Sequence, residues 1–265
     1  MESRDRSPDV EPGSPTGAPG GDPTISSGPE RAAALWSAAL AAGFAAGIAA
    51  WLIGEATHEF FEPVLVETTI MGRTGRGPTM ETSNAATLKN AMLAFGILGA
   101  TVGLALGVGG GLVRRSARAA ATAAAVGLIA GGVAGVVAAA AVLPTALRTD
   151  DFREDDLLRP FLIHAGAWVP LGVAGGLAFG LGAGGRRGPL LVAALGGGLG
   201  ALLGTGAYEV IGGLAFPFAR TDRAFSLTWA TRLIARLCVA LGAAAGAALL
   251  TGDRRGTNHP APRPS

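Results

Sequence analysis

The stretch richest in reactive side chains is Glu55-Ala-Thr-His58-Glu59-Phe-Phe-Glu62, three carboxylates and one imidazole at offsets of 0, 3, 4 and 7. On a helix these offsets share one face. Charges of one sign so closely gathered repel unless a cation stands among them. Glu55-x-x-His58 also has the ligand spacing of carboxylate metal sites in helix bundles, which draw on a second such pair and two further glutamates. The sequence has no second copy, and only His164 and Glu209 lie where another helix could complete a site. Glu55, His58, Glu62 and His164 are therefore the candidate metal ligands. The expectation set against them is a solvated acidic helix extension that holds no metal and no cofactor.

Glu209 mirrors Glu55, since each precedes a proline, Pro217 or Pro63, by eight residues. Lys89, Arg232 and Arg236 stand opposite, on segments that run the other way. From Arg236 to Arg254 is 18 residues, or about 27 Å of helix at 1.5 Å per residue, which puts Arg236 at the edge of a hydrocarbon layer. Two expectations follow for Glu55, His58, Glu59, Glu209, Arg232 and Arg236. Interfacial anchoring with ion pairs at one rim is the first. The second is a vestibule whose charges select or relay an ion or a polar solute.

Such residues need elements to carry them, and six long apolar runs supply these at about 32–54, 90–113, 119–143, 161–184, 189–211 and 230–251. Each is of the order of the 20 residues that cross a hydrocarbon core of about 30 Å. Only 15% of residues are charged and mean hydropathy is +0.43, too little charge to cover a water-facing surface. Every run also carries glycines four apart: Gly43/Gly47, Gly99/Gly103/Gly107, Gly127/Gly131/Gly135, Gly172/Gly176/Gly180/Gly184, Gly196/Gly200/Gly204 and Gly242/Gly246. Residues four apart share one side of a helix, so each comb forms a groove along which another backbone can approach. The expected fold is an all-α, polytopic membrane helix bundle of six spans, glycine-packed.

Runs two, four and six end in Arg114-Arg115 (with Arg118), Arg186-Arg187 and Arg254-Arg255, whereas runs one, three and five reach Pro63, Pro144 and Pro217. The arginine pairs recur at intervals of 72 and 68 residues (186 minus 114, 254 minus 186). Three tandem helical hairpins are expected. The tight arginine turns suit a cytoplasmic face, which sets both termini inside a bacterial plasma membrane. A raw count does not decide this, because 11 of the 21 Lys and Arg fall on that side; their position flush against the spans does. Trp51, Phe60, Phe61, Phe161, Tyr208, Phe216, Phe218, Phe225 and Trp229 cluster near the other ends, as an interfacial belt would. Residues 1–31, rich in Pro, Gly, Ser and acid, are expected to be a disordered tail, 32–252 the spanning domain, and 253–265 a short basic tail.

Several function classes drop out. A formal charge of +2 with scattered arginines gives no nucleic-acid surface. Cys238 is the sole cysteine, so no intrachain disulfide or thiolate cluster forms. Phosphate loop, HExxH pair, GxSxG elbow and CxxC are all missing from the sequence. What remains is a non-enzymatic integral membrane protein, most concretely a small-solute or ion permease. The alternative is a structural or assembly component that docks a second copy or a membrane partner through its glycine faces. A carboxylate/His metal enzyme comes third. The lipid bilayer is the partner common to all three.

Overall fold

The computed structural model describes residues 28–70, 73–148, 158–185, 187–218 and 228–256. Six helices account for nearly all of them: α1 (Gly28–Ala56), α2 (Met80–Val113), α3 (Ala117–Arg148), α4 (Leu158–Gly182), α5 (Arg187–Ala215) and α6 (Trp229–Gly256). All six are long and apolar enough to cross a membrane, which fits a multi-pass membrane protein. Most of the amino tail, the acid-rich connection 149–157, Arg186, the segment 219–227 with Phe225, and residues 257–265 lie outside the described residues.

The helices are inside out relative to those of a water-soluble protein. Along α5, Leu191, Leu195, Leu199 and Leu203 all face outward, between 56% and 74% exposed. Gly196, Gly197, Gly200, Ala201 and Gly204 on the same helix are buried. Large apolar side chains outside and small ones inside is the arrangement that suits a hydrocarbon solvent. Val102, Leu106, Leu171, Phe179 and Val239 fill the remaining interior.

The contacts follow a simple order. Each odd-numbered helix lies between two even-numbered ones: α1 against α6 and α2, α3 against α2 and α4, α5 against α4 and α6. The even helices meet one another, α4 touching both α2 and α6. Chain order is thus also order around the bundle, and the first helix closes on the last.

Several sequence expectations need correction. The connection between the first two spans, to which hydropathy assigns no element, contains an antiparallel hairpin of β1 (Leu65–Ile70) and β2 (Arg73–Pro78), paired from Leu65↔Pro78 to Ile70↔Arg73. Alternating β-branched residues in Val66-Glu-Thr-Thr-Ile70 carry the first strand. α2 then begins ten residues ahead of its apolar run, because Thr79 and Thr82 form a capping box. The Thr79 Oγ1 accepts from the Thr82 amide at 3.2 Å, and the Thr79 amide donates to the Thr82 Oγ1 at 2.9 Å. Pro144, expected as an exit, lies inside α3. It removes one backbone donor near the helix end, and fully buried Leu143 keeps that turn packed against the bundle.

The comb on α2 does not meet glycines along its whole length. Gly107, buried like Gly99 and Gly103, stands against the backbone of Ala123 and Ala124 of α3, where a Cβ would come within 2.5–2.6 Å of their atoms. Gly180 of α4 likewise faces Ala193 and Leu190. A comb on one helix therefore does not require a comb on its neighbour. A partner residue whose side chain points aside still presents bare backbone to the groove.

Candidate functional site

The end of the bundle beside the β-hairpin gathers the polar side chains, but in two separate groups. In the first, α1 meets α6. Arg232 donates from Nε to Glu55 Oε1 at 2.6 Å and from Nη2 to Oε2 at 2.7 Å, a two-pronged pair with both partners partly buried. One turn deeper, Arg236 is only 8% exposed. It directs Nη1 to the carbonyl oxygens of Ala50 and Trp51, at 2.7 and 3.0 Å. Both acceptors lie inside α1, six and five residues before its end at Ala56, so the guanidinium from α6 adds a second donor to carbonyls of the helix itself and ties α6 to α1. Gly54 makes this possible: a Cβ there would collide with the Arg236 guanidinium. Trp51 and Trp229 cover the pair, with ring centroids 6.2 Å apart and the Trp51 indole donating to the Trp229 carbonyl at 3.2 Å.

The second group joins α4 to α5. His164, 1% exposed, holds Glu209 through Nδ1 and Oε1 at 2.5 Å. Trp168, one turn along α4, stacks on the imidazole with centroids 4.8 Å apart, and Tyr208 meets both rings edge-on at 5.5 and 5.3 Å. The Trp168 indole N–H is buried and has no acceptor among the described residues. An indole nitrogen can only donate, so this is a buried donor beside an ionisable pair. Pro170 lies in the same stretch of α4 and removes a further backbone donor there.

These positions divide the expected rim site. Glu55, Arg232 and Arg236 come together as a clasp, whereas Glu209 turns away from them to His164. His58 and Glu59 are exposed, 4.0 Å apart. The expected acidic helical face from Glu55 to Glu62 does not form, because α1 stops at Ala56 and Glu59 takes a left-handed φ of 56°. The chain is instead fastened to α2: Asn90 accepts from the Phe61 amide and donates to its carbonyl, both at 2.9 Å. Glu55, His58, Glu62 and His164 are not brought together, and among the described residues no three His, Cys, Asp or Glu side chains could share a metal ion. Tyr208, expected at the membrane surface, is 1% exposed and belongs to the interior.

Trp168 and Gly54 had no place in the sequence reading. The i, i+4 spacing of His164 and Trp168 was a visible signal for the first, and the seven-residue step from Gly47 to Gly54 for the second. No family model matches the chain, and no curated protein or solved structure is significantly similar to it.

Proposed function

We propose that the chain is a non-enzymatic, multi-pass membrane protein, glycine-packed and built from three tandem hairpins, and most concretely a permease for a small ion or polar solute. Its arginine turns and both termini face the cytoplasm of a bacterial plasma membrane. The hairpin repeat is supported by the alternation of helices, each odd one lying between two even ones. Glycine packing is supported by what a side chain would meet. A Cβ on Gly99 or Gly103 of α2 would strike the carbonyl oxygen of Gly131 or Gly127 of α3, and the converse also holds. Gly107 extends the same seam by one turn against Ala123. Gly172 and Gly176 stand likewise against Gly197 and Ala193, and Gly196 and Gly200 against Gly246 and Gly242.

The observation that carries the permease reading is the His164–Glu209 pair. Ionisable groups inside a spanning bundle are costly and are kept where an ion, proton or polar solute passes. The clasp of Glu55, Arg232 and Arg236 is occupied in joining α1 to α6, so the site contracts to His164, Glu209, Trp168 and Tyr208. The test is flux into liposomes reconstituted with the full chain, read by trapped pH-sensitive and cation-sensitive dyes. Glu209→Gln, matched in size, should lower the flux at least tenfold while its gel-filtration profile is unchanged. Flux through wild-type protein no greater than through empty liposomes, or unaltered by Glu209→Gln, overturns the reading.

The structural alternative is supported by the depth of the bundle beyond this site. Thr205 and Thr251, both buried, return their hydroxyls to Ala201 and Ala247 of their own helices at 2.9 and 2.6 Å. The combs are spent on intrachain contacts. A partner would therefore meet outward leucines, not glycines.

A further inference from the structure

The opposite end of the bundle has a different chemistry. α2 and α4 end in the same hydrogen-bond pattern: Ser116 N to Gly111 O and Arg115 N to Leu112 O at 3.1 and 2.9 Å, then Gly185 N to Gly180 O and Gly184 N to Leu181 O at 2.9 and 3.1 Å. The two turns touch. The Arg114 side chain lies over Gly184, where a Cβ would sit 3.2 Å from its Cδ, Nε and Nη1. Arg115, Arg118 and Arg187 flank this contact, and all four arginines are exposed.

No carboxylate stands near them in the chain. There is no Asp or Glu between Glu81 and Asp150, nor between Asp156 and Glu209. Among the described residues, Glu30, in the first turn of α1, and Asp253, in the last turns of α6, are the acids of this end. Among the described residues the ion pairs are His58–Glu59, His164–Glu209 and Arg232–Glu55, all at the other end. Four exposed guanidinium groups thus belong to these two turns and the helices that follow them, with no carboxylate partner among the described residues.

We propose that this surface binds the phosphate of an anionic phospholipid, with Arg114, Arg115, Arg118 and Arg187 as its cationic partners. The inference rests on the membrane reading above, which sets these side chains at the depth of the lipid headgroups. Guanidinium matches phosphate with two parallel donors. Adjacent cations repel, so an anion that binds the folded bundle also stabilises it.

Full-length protein in neutral detergent, titrated with phosphatidylglycerol or with phosphatidylcholine, would be followed by native mass spectrometry. Wild type should retain phosphatidylglycerol in preference. Affinity should fall about fivefold for Arg118→Gln or Arg187→Gln alone, and about a hundredfold for R114Q/R115Q/R118Q together. Arg76→Gln, on β2, should leave it unchanged. The single variants keep the test decisive if the triple variant does not fold. Equal binding of the two lipids, equal binding by the variants, or full displacement of the lipid by inorganic phosphate overturns the proposal. A chain absent from the membrane fraction before extraction would instead overturn the membrane reading.

Discussion

Arg236 shows how one missing methyl group can determine where a charge rests. Its guanidinium reaches the Ala50 and Trp51 carbonyls only across the bare backbone of Gly54. Gly54→Ala should push it off both acceptors at a cost of about 1.5–3 kcal/mol, the range for a charged hydrogen bond. The measurement is a lowered unfolding midpoint in detergent. Arg115 makes the opposite case. It holds φ 55° at the helix end where its counterpart is Gly184, and a left-handed non-glycine residue costs about 1 kcal/mol. Arg115→Gly should therefore raise stability by about that amount, read from the same melt in lipid-free detergent. At this scale the sequence was partly legible. Glu55 and Arg232 were placed at one height by counting from prolines and arginines, and the structure pairs them. His164 is legible only as a possible metal ligand and Glu209 as a rim charge, but not as each other's partner, because a sequence shows which residues share a level but not which helix stands next to which.

Periodicity at the scale of the helix was the stronger guide. The apolar runs fall inside the observed helices except at the carboxy end of α4, where Gly184 lies beyond the helix and is exposed. What stands opposite each glycine step was not legible: Gly103 meets a glycine and Gly107 an alanine, a difference set by register between two helices. The ends were harder to read. Capping by Thr79 and Thr82 depends on hydroxyl geometry, and Pro144 inside α3 depends on packing from its neighbours, so neither registers in hydropathy. The contact of α2 with α3 yields a sharp prediction. Gly103→Leu must separate backbones that now meet through Gly127, an overpacking cost of about 1–3 kcal/mol or more. Folded yield and protease resistance should both fall. Gly213→Leu, at a position with open space around its Cα, should leave both unchanged. Equal behaviour of the two variants would remove the close-packing interpretation.

Across the whole molecule, polarity among the described residues is divided by end: paired, partly buried charges beside the β-hairpin and arginines without a carboxylate partner at the opposite turns. The sequence displayed the arginine turns plainly, but the closure of α1 on α6 was invisible, since it joins segments 177 residues apart. That closure bears on how the protein is made. α1 is made before α6, yet the groove at Gly43 and Gly47 and the carboxylate of Glu55 have no match until α6 is synthesised. Until then α1 is an unfinished seam, packed against α2 alone. The seam of α1 is thus completed only when α6 is in place.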